Sequence, residues 1–178
     1  EATRKHLRRA SESDRLEFSG LAQDLTLEII LRAVFGVVDE GTLERFSKII
    51  VDVIDAVHPA FVFAPFLQRE FGGVGPYAKF TRALQTLESA MGEHLDRARA
   101  QDEPGEDILS LMLAARYEDG QGMTDAHVRD ELRTIVTAGH ETTALALAWA
   151  TDLVHRHPDV AAKIRADIDA LGPEATAT

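Results

Sequence analysis

An alcohol and a carboxylic acid stand next to each other in residues 138–143 (AGHETT), inside a stretch that is otherwise almost without charge. Within residues 134–151 the only ionisable side chains are those of His140 and Glu141. A hydroxyl beside a carboxylate can relay protons to a bound reactant when water reaches the pair. We therefore take Thr142 and Glu141 as the candidate catalytic residues.

A single long helix is expected to position this pair. Residues 124–157 contain no proline and one glycine, Gly139. Thr124 can cap the start, and basic residues at 155–157 followed by Pro158 mark the end. At about 1.5 Å per residue the helix would be roughly 50 Å long. That length exceeds a domain of this size, so the helix should cross the middle of a larger structure or extend past this chain.

The same six residues fit a helix poorly. Gly139 costs about 1 kcal/mol relative to alanine in a helix interior. Ala138 and Thr142 share a face and, with Gly139, would form a notch of small residues open to a flat or bulky ligand. The Thr142 hydroxyl can also bond to the carbonyl of Ala138 and bend the helix. Two interpretations stay open: a ligand site, or a close helix crossing in which Glu141 pairs with a distant arginine.

The remaining chain predicts an all-α fold. Strand signals are weak, since no alternation of apolar and polar residues is sustained. The charged residues 1–15 are expected to be frayed, and the aromatic segment from Phe61 to Phe71, flanked by prolines and glycines, is expected to be a long loop. We expect about five other helices around the long one, in a single all-α region spanning 1–178. Apolar spacing places them over residues 16–35, 42–57, 77–100, 108–117 and 158–171.

Composition limits the possible functions. The 178 residues suffice for one domain, and 19 Lys and Arg against 30 Asp and Glu give a net charge of −11. An acidic surface repels nucleic acid and anionic membranes, so neither is an expected partner. The absence of cysteine excludes any thiolate metal ligand from this chain. No signal-peptide pattern and no long apolar run occur, so we expect no membrane span and a cytoplasmic location.

Other sequence features suggest functions different from a proton relay. The His-Glu dipeptide would begin the zinc motif HExxH, but Ala144 replaces its second histidine. Asp55-x-x-His58 and Asp152-x-x-His155 have the spacing found in di-iron helical bundles, which makes a di-iron carboxylate protein a minor alternative. A non-enzymatic acidic helical module, which self-associates or binds a hydrophobic ligand, is the remaining alternative.

Residues 138–143 match the pattern Ala-Gly-x-(Asp or Glu)-Thr-(Thr or Ser) in the long central helix of the cytochrome P-450 haem-thiolate monooxygenases. The flanking sequence resembles the corresponding helices of soluble bacterial members. The similar segments are residues 21–36, 107–120, 123–150 and 153–171. The resemblance covers nearly the whole chain and implies the central helical portion of that fold.

The resemblance also implies catalytic roles for individual residues. Thr142 would assist the activation of dioxygen, and Glu141 would be its acidic partner in proton delivery. Ala138 and Gly139 would lie over the haem face together with Thr142 and would form the groove that takes oxygen. These residues are the catalytic and cofactor-binding set that the family suggests.

A substrate pocket and a set of partners follow from the same resemblance. Thr134, Thr137 and Ala138 would form part of the pocket wall, and the loop from Phe61 to Phe71 would control substrate access. The intact protein would bind haem b, a small hydrophobic substrate and dioxygen. A redox partner of the ferredoxin or flavodoxin type would supply electrons.

The chain differs from the family in what it lacks. The family holds its haem through a cysteine thiolate, and this sequence has no cysteine. It also lacks the Glu-x-x-Arg pattern expected after the long helix. We therefore expect a central fragment that alone holds no haem or other metal and oxidises no substrate. Its exposed apolar faces are expected to make the isolated chain self-associate.

Overall fold

The computed structural model describes residues 2–11, 17–57, 75–101 and 105–172. These ranges form seven α-helices and no β-strand, and an isolated bridge joins Arg116 to Gly122. The prediction of an all-α fold is therefore confirmed. The helices are α1 Ala2–Ser11, α2 Phe18–Phe35, α3 Glu40–Ala56, α4 Pro76–Arg99, α5 Ile108–Ala114, α6 Asp125–Arg156 and α7 Pro158–Leu171.

Most predicted helix bounds agree with the structure to within a few residues, and two predictions are wrong. Residues 2–11 form α1 instead of fraying, because arginine, lysine and alanine favour helices and His6 is buried on one side of this helix. The helix predicted to reach residue 117 ends at Ala114 in α5. The predicted loop from Phe61 to Phe71 lies outside the described residues.

The chain divides into two compact units. The first unit combines Thr3–Thr26 with His140–Thr178, and the second contains Leu27–Gly139. Helices α2 and α6 contribute residues to both units. The expectation that residues 1–178 form one incomplete piece of a larger domain stays a prediction.

The second unit has a continuous apolar core. Helix α3 packs along α4, and the rings of Phe35, Phe46 and His94 form a triangle whose centroids are 5.4–6.1 Å apart. The burial of these apolar side chains is the main term that stabilises the unit. The core consists of Leu27, Leu31, Val34, Phe35, Val37, Leu43, Phe46, Ile50, Leu87, Ala90, Met91, Leu95, Leu109, Val128, Leu132 and Val136.

The first turns of α6 are held to α4 by ion pairs within the second unit. Arg133 pairs with Glu88, and Arg129 approaches the same carboxylate at 3.8 Å. Asp125, in the first turn of α6, pairs with Arg99 near the end of α4. The charges that the sequence concentrates at the start of the long helix therefore fix it against a neighbouring helix.

The corner after α2 is built around a glycine in a left-handed conformation. Gly36 has φ +65°, which ends α2, and a Cβ at this position would lie 2.5 Å from Oδ2 of Asp107. Asp107 is the N-cap of α5, since its carboxylate accepts from the Ser110 backbone N–H at 2.9 Å. Gly36 is thus required both by its backbone angle and by the cap of the next helix.

The first unit leaves much of its apolar surface exposed. A groove of about 480 Å³ lies along α7 and the end of α6, lined by residues that include Val154, Pro158 and Ile168. Large exposed side chains on these helices are Leu145, Trp149, Leu153, Val160, Ile164, Ile168 and Leu171. None of the described helices is long and apolar enough to cross a membrane.

Replacing Gly36 by alanine tests the corner. We expect Gly36→Ala to lower the free energy of unfolding by about 2–3 kcal/mol, because it adds left-handed strain and displaces the capping carboxylate of α5. Gly120→Ala is the matched control, since Gly120 has φ +82° but no atom within 4 Å of its added Cβ. That control should cost only about 1 kcal/mol. Equal costs in urea unfolding would show that Asp107 does not crowd Gly36.

Candidate functional site

All the sequence-predicted site residues lie on α6. The helix begins as expected, with the Thr124 hydroxyl accepting from the His127 backbone N–H at 3.3 Å. It continues to Arg156 without interruption, although residues 138–143 include a glycine and two threonines. Packing along one side of α6 therefore outweighs the weak helix propensity of this segment.

Three predicted residues, Thr134, Thr137 and Ala138, are exposed in the second unit. The hydroxyls of the two threonines donate to carbonyls one turn earlier, that of Thr134 to Asp130 at 2.8 Å and that of Thr137 to Arg133 at 2.8 Å. These bonds satisfy the hydroxyl protons within the helix. The corresponding bond from Thr142 to Ala138 stays a prediction.

Gly139 faces a neighbouring side chain of the same unit. A Cβ at Gly139 would lie 3.3 Å from Cδ1 of Ile30 on α2, which is a tight contact. This contact favours close helix packing as one function of the glycine, the second of the two interpretations that the sequence left open. A role of Gly139 at a haem face stays a prediction.

Glu141 and Thr142 are exposed in the first unit, whereas the flanking His140 and Ala144 are buried. The carboxylate of Glu141 forms no ion pair with any residue that the structure describes, so the distant arginine suggested by the sequence is not seen in these ranges. An exposed carboxylate can exchange protons with water, as a proton relay requires.

His140 is held by Thr26 on α2, within the first unit. The Thr26 Oγ1 lies 3.2 Å from the His140 Nδ1 and 3.3 Å from the His140 carbonyl oxygen. Burial lowers the pKa of His140, and the charges of Glu141 and Asp24 oppose that shift only in part. The imidazole is therefore neutral at pH 7 and forms part of the packed side of α6.

In the first unit, the candidate residues Glu141 and Thr142 lie on an exposed side of α6. We define the exposed stripe as Glu141, Thr142, Leu145 and Trp149, all of which are exposed. The buried positions of α6 in the same unit are His140 and Ala144. At 100° per residue these two sets fall on different sides of the helix. In the second unit, Thr134, Thr137 and Ala138 are exposed, whereas Val128, Leu132 and Val136 are buried.

The stripe suits contact with a flat apolar group such as a haem ring, and it contains no cysteine or histidine that would ligate the haem iron. Thr142 is small enough to let a ring approach the helix, and large apolar side chains extend the surface at Leu145 and Trp149. The chain has no cysteine. Among the described residues no three His, Asp or Glu side chains come together as a metal site would require.

Nothing in the described ranges favours the di-iron alternative. Asp152 pairs with Arg156 at 2.7 Å, and the His155 Nδ1 bonds to the carbonyl of Thr151 at 2.8 Å. His58 lies outside the described residues, so the motif that begins at Asp55 has no described histidine.

The partner of His140, Thr26, is not among the residues predicted from the sequence. The residue is 4% exposed and stands in the run Leu25-Thr26-Leu27-Glu28, where apolar residues dominate. A polar side chain on the buried side of an apolar helix needs a hydrogen-bond partner, and that rule was the available signal. The identity of the partner was not readable, because His140 is 114 positions away.

Comparison with known proteins supports a single family. The sequence profile described as Cytochrome P-450 matches residues 2–176. A Mycobacterium tuberculosis protein named cytochrome P-450 137 is 33% identical over 149 residues, which are 83% of this chain and 31% of the relative. A Mycobacterium bovis protein named cytochrome P-450 138 is 32% identical over 152 residues, 84% of this chain and 34% of the relative.

Solved structures show the same fold. The haem domain of cytochrome P-450DA matches with a TM-score of 0.81 at 23% identity, covering 99% of this chain and 39% of that one. A cyanobacterial protein, CYP120A1, solved with retinoic acid bound, matches with a TM-score of 0.76 at 19% identity, covering 98% and 38%. The chain thus spans about a third of its curated relatives and a larger minority of the solved structures.

The buried imidazole predicts a pH-dependent stability. The pKa of His140 is lower in the folded state than its ordinary value of 6.5, so the unfolded chain binds more protons below that pH. The contribution of the neutral His140 ring to the free energy of unfolding is complete above pH 6.5. It is lost as the pH falls from 6.5 toward the lower pKa that His140 has in the folded state. We expect the wild-type free energy of unfolding to decrease across that window by more than that of His140→Gln.

Urea unfolding at a series of pH values measures this difference. His127→Gln is the control, because His127 is exposed on the same helix. Parallel curves for the wild type and His140→Gln below pH 6.5 would contradict the prediction.

Proposed function

Since the chain belongs to the cytochrome P-450 family, we propose that the full-length protein containing it is a haem-dependent monooxygenase. The chain covers only about a third of its curated relatives, so the activity is that of the whole protein. The observation that supports the proposal best is the exposed stripe of α6, which carries both Glu141 and Thr142.

The stripe is the surface that the rest of the protein would cover. Leu145 is 57% exposed and Trp149 is 61% exposed, although both are large and apolar. Exposed apolar surface of this kind typically marks a contact with a further polypeptide or a ligand. In the proposed protein, Ala138 and Thr142 would line the haem, and Gly139, whose absent Cβ would meet Ile30, would contribute only main-chain atoms.

Haem b, when bound, supplies the redox chemistry, and its thiolate ligand comes from outside residues 1–178. The tasks left to this chain are to shape the pocket and to move protons. The task we assign to the Thr142 hydroxyl is to hold a proton toward dioxygen. The Glu141 carboxylate takes protons from water and passes them to that hydroxyl. This division uses the exposure of both side chains and the hydrogen-bonding capacity of each.

Thr134 and Thr137 suit a small hydrophobic substrate. Their hydroxyl protons are bound to the carbonyls of Asp130 and Arg133, which leaves the methyl groups to meet an apolar surface. Together with Ala138 they form the proposed pocket wall. Electrons would come from a ferredoxin- or flavodoxin-type partner that binds the whole protein.

Three further expectations remain predictions. A cytoplasmic location is the first. The second is self-association of the isolated chain, for which the support is the exposed side chains of α6 and α7, such as Trp149 and Ile168. The third is the non-enzymatic module, which the same exposed surface would suit if no haem-binding partner segment existed.

Thr142→Ala in the full-length protein tests the proton relay. We expect product formed per dioxygen consumed to fall roughly tenfold or more, because dioxygen is still reduced but its protons no longer come through the Thr142 hydroxyl. Thr143→Ala is the matched control, since Thr143 is exposed but lies on the other side of the helix. An unchanged ratio of product to oxygen in Thr142→Ala would remove the role assigned to this hydroxyl.

Haem titration of two proteins tests where the metal ligand lies. The full-length protein should give the Soret band of thiolate-ligated haem, and the 178-residue chain should not, because it has no cysteine. Absorption spectra of reduced, carbon monoxide-bound samples measure this difference. A thiolate-type band from the 178-residue chain alone, with its intact mass verified, would refute the assignment.

A further inference from the structure

Thr26 connects α2 to the turn of α6 that precedes Glu141. Its Oγ1 lies 3.2 Å from the His140 Nδ1 and 3.3 Å from the His140 carbonyl oxygen. The carbonyl of Gln23, on the same helix as Thr26, is 3.1 Å away. Thr26 and His140 are 4% and 5% exposed, so water contributes little to this contact.

The hydrogen positions follow from counting donors. A hydroxyl has one proton, and the two carbonyl oxygens, those of Gln23 and His140, can only accept. The Thr26 hydroxyl donates either to one of the carbonyls, and then accepts from Nδ1–H of His140, or to an unprotonated Nδ1. Because two carbonyls lie within hydrogen-bond distance of Oγ1, we expect the first arrangement, in which the neutral His140 ring carries its proton on Nδ1.

The Thr26 hydroxyl thus contacts both the side chain and the main chain of His140. The carbonyl of His140 belongs to the peptide unit that also contains the N–H of Glu141. A contact to the ring and to this peptide unit fixes the rotation of α6 about its axis at residue 140. Glu141 and Thr142 follow at about 100° per residue, so a rotation at His140 moves both by the same angle.

We propose that Thr26 is a positioning residue, which sets the direction of Glu141 and Thr142 through its hydrogen bonds to His140. The inference rests on the proposed function, because it assumes that these two side chains form the proton relay. A purely structural contact would stabilise the fold without affecting where protons go. The two roles are distinguished by a tautomer measurement and by the coupling of oxygen to product.

The first measurement reports the hydrogen bond itself. In the full-length protein labelled with 15N-histidine, the His140 ring should carry its proton on Nδ1, and the missing signal of His140→Gln assigns it. Thr26→Val removes the acceptor and should shift the proton to Nε2, while Thr26→Ser should restore the wild-type spectrum. A spectrum that is identical in Thr26→Val and the wild type would overturn the proposal.

The second measurement tests the positioning role. We expect Thr26→Val to lower product formed per dioxygen consumed by roughly three- to tenfold, and Thr26→Ser to recover most of that loss. Thr81→Val is the matched control, because the Thr81 hydroxyl donates to the Tyr77 carbonyl within one helix and has no histidine partner. A loss in Thr81→Val as large as that in Thr26→Val would indicate a general effect of removing a helical hydroxyl and would overturn the proposal.

A double variant separates the two hypotheses. If Thr26 acts through the relay, adding Thr26→Val to Thr142→Ala should cause no further loss of coupling. An additive loss contradicts positioning. If Thr142→Ala itself leaves the ratio of product to dioxygen unchanged, the proposed monooxygenase function is contradicted. If Thr142→Ala lowers this ratio and Thr26→Val does not, only the positioning role of Thr26 is contradicted.

A second variant covers the case in which Thr26→Val does not fold. His140→Phe removes the same ring donor, and an unchanged ratio of product to dioxygen in that variant overturns the proposal.

Discussion

The side on which α6 is packed in each unit decides which of its residues are open to solvent. In the second unit, its buried side supplies Val128, Leu132 and Val136 to the core. In the first unit, its exposed side carries Leu145 and Trp149, which are large and apolar for residues that face water. Exposed apolar surface of this kind typically marks a contact with a further polypeptide or a ligand, and the proposed function assigns that contact to the haem and the rest of the protein.

The charged and uncharged parts of α6 have different tasks. Ion pairs from Arg133 to Glu88 and from Asp125 to Arg99 hold its first half against α4. Exposed pairs of this kind add little stability individually, so their main effect is on helix orientation. Within residues 134–151 only His140 and Glu141 are ionisable, and in the first unit the buried contact between Thr26 and His140 takes over the orienting role.

Helix positions were predictable because they are encoded locally. Apolar spacing and the stop at Gly36 defined α2, and Pro158 separated α6 from α7, as the structure shows. The helical state of residues 2–11 was missed because charge was read as a sign of fraying, although the same residues have good helix propensity. The pairing of Thr26 with His140 depends on tertiary packing, which one sequence does not reveal.

In the candidate site, too, the sequence predicted features that depend on neighbouring residues and not those that depend on tertiary packing. Spacing alone placed Glu141 and Thr142 next to each other on α6, and the structure adds that both are exposed. Spacing could not show that Gly139 points toward Ile30, since that depends on how closely α2 approaches. The glycine therefore has a packing reason that is independent of any cofactor. Glu141 and Thr142 are exposed and contribute little to the core, so packing does not explain a carboxylate and a hydroxyl at these two positions.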